Sequence, residues 1–451
     1  MKIIRLLILI LIIFLTAGIV SAGDVNDSEI ILQSGEGSFK ELNNLIVKSP
    51  ENSIVNLSKD YFSNDDDFPN GIEVNKPLTI NGNNHVIDAN SNSRIFRILT
   101  PGVILNDIVF VNGNARNGGA IQSNYCVTID DCRFENNYAY KGGAIHVKNA
   151  KINNSVFINN FAKAYGGAIY QKNGDVNNSK FINNNVPQGD VVTSDNTILG
   201  YGGAIYQIDS NVYSSTFSGN NAFGGGAIQQ AGSNIYKSIF VGNSAFDAGA
   251  VKQYEKSNIF NSTFIDNSAS ADGGAVQQME DSKVYYSNFV NNSAYYGGAV
   301  YQEDNSIVYN SNFVNNSAYY GGAISQSVGS DFINCTFENN HANYNKDDVF
   351  TFGWNDDKDN STKSVDDFNF TNDDEITPDI DNSSFNNNDD EITPDIDNSS
   401  FNNNDDDITL DMDNSSFNNN ENIDVDIKNN AGNPLGLLLL SLFVLIIRIK
   451  K

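Results

Sequence analysis

Apolar and small residues recur along residues 118–345 with a spacing that neither an amphipathic helix nor an alternating hairpin produces. Gly-Gly-Ala-Ile or a close variant opens each unit, at Gly118, Gly142, Gly166, Gly202, Gly225, Ala248, Gly273, Gly297 and Gly321. Ser-x-Phe-x-x-Asn follows in each, as in Ser155-Val156-Phe157-Ile158-Asn159-Asn160. The period is 23 to 25 residues, apart from one 36-residue unit between Gly166 and Tyr201. A fixed period of this length predicts a solenoid, in which each unit buries its apolar face only by stacking on its neighbours.

Within the units, period-two alternation sorts inward from outward slots. Phe134, Phe157, Phe181, Phe217, Phe240, Phe264, Phe289, Phe313 and Phe337 fill one slot, and a Ser or Cys stands two residues before each. Both therefore face one side, as a stacked interior row. The Asn three residues after each Phe, from Asn137 to Asn340, suits a turn with positive φ. After the opening Ile or Val comes a variable slot, then Gln171, Gln207, Gln230, Gln253, Gln278, Gln302 and Gln326 in successive units. Such a row predicts an inward or corner ladder whose amides donate to one neighbour and accept from the other. Three short apolar strands and glycine corners in about 24 residues make one turn of an all-β, three-sided parallel β-helix. Eleven or so turns give a rod of roughly 50 Å.

The flanks differ in composition. In residues 1–22, Lys2 and Arg5 precede the apolar run Leu6–Leu15 and the exit Val20-Ser21-Ala22, the pattern of a secretory signal peptide. Residues 23–70 read as an N-terminal helical cap: Ser38 to Glu41 has capping-box spacing, and Phe39, Leu42, Leu45 and Ile46 trace one helix face. The β-helix spans 71–345. Residues 346–431 read as an acidic, extended stalk, containing three near copies of DDEITPDIDNSSFNNN, each with five acids and no base. In residues 432–451 the apolar run Leu435–Ile447 ends in Arg448, Lys450 and Lys451, a C-terminal membrane anchor or sorting signal.

The paired GGA[IV] and FxxN motifs resemble the repeats of chlamydial polymorphic outer-membrane proteins, and more closely the adhesin-like surface proteins of methanogenic archaea. The resemblance covers about residues 36 to 345. It implies a right-handed β-helix displayed at the cell surface for attachment. A C-terminal autotransporter barrel, which the chlamydial proteins carry, has no counterpart here.

Charge and chemistry narrow the function further. With 27 basic and 55 acidic side chains, a net charge of -28 disfavours nucleic acid as a partner. Carbohydrate cleavage needs clustered carboxylates, and the acids of the coils, among them Asp130, Asp131, Asp190, Asp209, Asp247, Asp266, Asp272, Glu280 and Asp281, recur at no single slot on adjacent levels. His85, His146 and His341 lie many coils apart. Cys132 and Cys335 take the small Ser slot and read as core filler; a bridge between Cys126 and Cys132 stays open. No cofactor or structural metal is expected; weak Ca²⁺ binding is confined to the acidic stalk. Asn-x-Ser/Thr sequons are frequent, as at Asn177-Asn178-Ser179, and include Asn56, Asn153, Asn261, Asn291, Asn315, Asn334, Asn360, Asn382, Asn398 and Asn414. The best ligand-contact candidates are Tyr295, Tyr296, Tyr301, Tyr319 and Tyr320, whose rings offer flat apolar faces and hydroxyls. The expected function is non-catalytic attachment to surface glycans or proteins of other cells or to matrix, with the chain held at its own membrane or wall. A structural envelope component and a β-helix lyase or glycosidase are the alternatives.

Overall fold

The computed structural model describes residues 35–64, 68–187, 191–192, 198–344 and 348–352. The signal-peptide reading, nearly all of the stalk and the C-terminal anchor lie outside them.

Each coil holds four short strands where the sequence suggests three. In the coil opened by Gly142 they are Ile145–Lys148, Lys151–Asn153, Val156–Ile158 and Phe161–Tyr165. The second and third share one face. In the earliest coils the two are a single long strand, Thr79–Asp88 or Val103–Val111. A left-handed residue stands at that place in early and later coils alike, Asp107 (φ 52°) within the long strand and Asn154 (φ 51°) or Asn178 (φ 47°) between the two short ones. Three faces result: a 23-stranded sheet, a 12-stranded sheet of the Gly-Gly-Ala strands, and a corner sheet in sections of three and six strands. Solenoid pairing is parallel and in register, Ile145 against Ile169 and Phe157 against Phe181. The fold is all-β, a parallel β-solenoid of about twelve turns.

Ring stacking and amide ladders fill the interior. From Phe110 to Phe337 the phenylalanines form one column with centroids 4.7–5.2 Å apart and planes within 12° of parallel. All but the terminal Phe337 are fully buried. The Asn three residues after Phe is no turn residue. It is buried, and its predecessor takes the left-handed conformation: Asn159, Asn183, Gly219, Gly242 and Asp266 all have φ near 50–63°. Asn243 Nδ2 donates to Phe217 O of the preceding coil (3.1 Å) and to Asn267 Oδ1 of the next (2.9 Å). Its Oδ1 accepts from Asn220 N (3.0 Å) and Nδ2 (2.9 Å). Every polar atom of that side chain is thereby paired, which is what makes its burial tolerable.

Serine in the small slot also does more than leave room. Ser215 Oγ donates to Tyr213 O in its own coil (2.8 Å) and accepts from Ser179 N (3.1 Å). The seven glutamines form a further ladder, Nε2 to Oε1 at 2.8–3.3 Å from Gln171 to Gln326. Its first member keeps an unpaired Oε1, because Val147 occupies the slot one level before.

The two glycines of the corner meet different demands. The first holds φ of 58–68°, with Ala248 the one side chain in that slot. A Cβ on the second, Gly143, would lie 2.1 Å from Gly167 O.

At the start, the helix Phe39–Lys48 carries a complete capping box between Ser38 and Glu41. It buries Phe39, Leu42 and Ile46, while Leu45 falls outside that face and is 36% exposed. The region read as a cap also contributes rungs to the solenoid: Ile54 pairs with Thr79, and Tyr61 with Ile87. At the other end the solenoid outruns Asn345. Val349–Phe352 adds a last rung against Ile324–Ser327, so the boundary placed at 345 is too early; that strand lacks the Gly-Gly-Ala signature by which the rungs were recognised. The 36-residue unit accommodates its extra residues in an antiparallel pair, Val191 with Leu199 and Val192 with Ile198.

Candidate functional site

The corner sheet carries a second aromatic ladder, on the outside. Its strands include Asn221–Gly224, Ser244–Asp247, Ser268–Ala269, Ser293–Tyr296 and Ser317–Tyr320. Their first two slots hold small or polar residues, and the third holds Phe223, Phe246, then Tyr295 and Tyr319. Phe223 stacks on Phe246 at 5.1 Å, and Tyr295 on Tyr319 at 5.0 Å. Between them one rung is missing. The intervening coil has an extra residue here, and exposed Ser270 with half-buried Ala271 stands where a ring would be. Ala271 still serves the backbone pairing, donating to Phe246 O and accepting from Tyr295 N.

The gap matters because stacked rings hide their faces from solvent and show only edges. Tyr295 has Tyr319 on one face; toward the preceding coil, where Ser270 takes the rung, no ring stacks on it. Two levels separate Phe246 from Tyr295, roughly 10 Å, the room taken by one more ring in such a ladder. A groove of 570 Å³ lies beside this gap, lined by Ala269, Ser270, Ala294 and Ala318 together with Ser293, Ser317, Tyr295, Tyr319, His341 and Asn343.

Of the five candidate tyrosines, only Tyr295 (44% exposed) and Tyr319 (39%) line this groove. Tyr296 and Tyr320 stack at 5.2 Å in a neighbouring, half-buried column and meet Tyr295 and Tyr319 at steep angles. Burial raises the Tyr296 phenol to about 12. Tyr301 is not at the surface patch. It lies on the outer side of the Gly-Gly-Ala face, stacked on Phe352 at 5.4 Å, and its hydroxyl donates to Glu303. The variable slot that Tyr301 occupies is largely covered all along the rod, as at His146, Tyr170 and Gln229, because the corner tyrosines fold over it. His146 stacks on Tyr170 at 4.8 Å, and burial pushes it down to about 3.

Two acids do share a slot on adjacent levels, against the sequence reading. Asp247 and Asp272 each precede the glycine corner, and Ala248 N donates to Asp272 O (2.8 Å). The extra residue before Gly273 hides this alignment in the sequence. Each acid binds the side chain five residues on: Asp247 with Lys252 (3.2 Å), Asp272 with Gln277 (3.2 Å). Desolvation, and Asp247 next, raise Asp272 to about 7. The spacing makes these ties across the corner, a structural use of the carboxylates. Among the described residues, no group of three or more His, Cys, Asp or Glu could hold a metal ion. All three cysteines are free; Cys132 sits in the Ser slot, and burial pushes its thiol up to about 12.

Comparison with known protein families finds the repeat. Residues 131–148 and 154–172 match the Chlamydia polymorphic membrane protein repeat. Among curated proteins none matches the chain by sequence. A PL6 alginate lyase bound to a trisaccharide is similar in structure, at 9% identity over 70% of this chain and 87% of that one, with a TM-score of 0.41. PfbA, a surface adhesin of Streptococcus pneumoniae, aligns at 14% identity over 64% of this chain and 82% of that one, with a TM-score of 0.33. The catalytic domain of a GH87 alpha-1,3-glucanase aligns at 10% identity over 74% and 68%, with a TM-score of 0.31. Likenesses this distant bear on neither ligand nor activity.

Proposed function

We propose that this chain is an exported, adhesin-like rod that attaches to surface glycans or proteins of other cells without cleaving them. The observation that carries this reading is the interrupted outer ladder: toward the missing rung no described ring stacks on Tyr295, and Tyr295 and Tyr319 both line the groove beside it. A sugar ring or an aromatic side chain inserted beside Ser270 stacks on Tyr295 from that side, while the serine hydroxyls of the groove take its polar edge. Single contacts of this kind are weak, and display of many copies on one surface makes attachment effective. The matched polymorphic membrane protein repeat supports a place at the cell surface. The C-terminal apolar segment would hold the chain there.

Purified full-length chain passed over immobilised polysaccharides and glycoproteins tests this. The parent is retained by at least one, and Tyr295→Ala with Tyr319→Ala lowers retention about tenfold, with an unchanged far-UV spectrum. Equal retention of the double variant removes the groove from the reading. Release of sugar from any polysaccharide points instead to an enzyme.

A further inference from the structure

The structure divides the described sequons into two sets. In one, the asparagine is already bonded within outer amide ladders. Asn177 Nδ2 donates to Asn153 Oδ1 (3.1 Å), Asn334 Nδ2 to Asn310 Oδ1 (2.6 Å), and Asn56 Oδ1 accepts from Asn81 (3.0 Å). In the other set, Asn261 is exposed at the break between Asn258–Phe260 and Thr263–Ile265, and Asn291 and Asn315 at coil corners, all with left-handed φ of 50–56° and no side-chain bond to any described residue. Left-handed backbone alone does not free the amide, since Asn334 and Asn310 (φ 54° and 48°) are left-handed too and bonded to each other; these three differ in that no described side chain bonds to theirs. Their hydroxyl partners, Thr263, Ser293 and Ser317, are half-buried in the strands that follow.

We propose that Asn261, Asn291 and Asn315 carry N-linked glycans. The inference rests on the chain being exported, and not on the groove binding any ligand. The donor class is an oligosaccharide linked through phosphate to a polyisoprenoid lipid. The asparagine Nδ2 forms a bond to the anomeric carbon and loses one proton. The bond from that carbon to the phosphate oxygen breaks, and the phosphate leaves with the electron pair. A glycan here costs the fold nothing, since no ladder bond involves these amides; on Asn177 or Asn334 it would break one. Asn291 and Asn315 sit one coil apart, about 4.8 Å, each at the corner from which the groove residues Ser293 and Ser317 begin. Sugars there would rim the groove.

The test is glycopeptide mapping of the full chain isolated from the cells that make it. Cleavage after glutamate separates Asn261, Asn291 and Asn315 into three peptides, ending at Glu280, Glu303 and Glu338. Each is expected to carry a sugar-sized mass increment that Asn→Gln at its sequon removes. For Asn291 and Asn315, Ser293→Ala and Ser317→Ala remove it too, whereas Ser293→Thr and Ser317→Thr retain it. All three peptides at unmodified mass would overturn the proposal. So would glycans found on Asn153 or Asn177 in their place.

Discussion

Of the aromatic ladders along this rod two make the sharpest contrast, ten rings from Phe110 to Phe337 inside and a shorter series from Phe223 to Tyr319 at the outer corner. Both use rungs close to 5 Å apart, so the backbone repeat sets the spacing in each. They differ in tolerance. The inner column spans the 36-residue unit without a gap, Phe181 on Phe217 at 4.7 Å, whereas the outer one loses a rung to a single extra residue at Ser270. A void inside would forfeit packing on every side and leave no water to fill it; a void outside simply opens to solvent. An interruption is therefore tolerated outside, and the outer corner ladder is where recognition can be built without unmaking the rod, although the outward column of Tyr213, Tyr236, Phe260, Tyr285 and Tyr309 runs unbroken.

The largest effect should come from the inner ladder. Phe240→Ala removes a fully buried ring between Phe217 and Phe264 and is expected to cost about 3–5 kcal/mol, read by urea unfolding of the full chain. Tyr295→Ala, one ladder over, should cost less than about 1 kcal/mol, as for exposed positions generally. Equal losses at the two positions would erase the distinction between the columns.

Next comes the amide ladder. Asn243→Ala leaves Phe217 O and Asn267 Oδ1 short of a partner and strands the amide of Asn220. Each buried group left unpaired costs about 1–3 kcal/mol, so a total on the order of 3 kcal/mol is expected once some of them find water or a neighbour. A thermal melt within a degree of the parent would mean that the asparagines stabilise nothing.

Much of this interior is legible in the sequence, for a definite reason. Period-two alternation and a strict repeat place Phe and Gln in fixed slots, and a slot that never varies along a solenoid is one that its neighbours constrain. The asparagine is misread because Asn is equally at home in a left-handed turn and in an amide ladder; only the coordinates tell Asn159 from Asn160. The fourth strand is hidden by the same ambiguity, since Asn154 reads in sequence as part of one run although its left-handed backbone lies between two strands. The candidate site is legible only in part. Spacing puts tyrosines at equivalent places on adjacent coils, but it cannot show that Tyr296 and Tyr320 are half-buried or that Tyr301 lies against Tyr296 on another face. Nor can it show that Asp247 and Asp272 align, because the inserted residue shifts one against the other.

The smallest change in stability should accompany the most telling change in function. Ser270→Tyr supplies the missing rung, bringing a ring between Phe246 and Tyr295 and closing the open face. One added stacked pair contributes about 0.5–1.5 kcal/mol beyond area burial, offset by ordering an exposed side chain, so the melting temperature should hold or rise slightly. Retention on the immobilised ligand should nevertheless fall as far as in the Tyr295→Ala, Tyr319→Ala protein, although both of those tyrosines are still present. The substitution separates two accounts that tyrosine removal alone leaves joined. If the phenol edges and hydroxyls do the binding, a tyrosine at 270 extends the comb and retention grows. If the uncovered face does it, retention is lost, because the new side chain occupies the place of the guest.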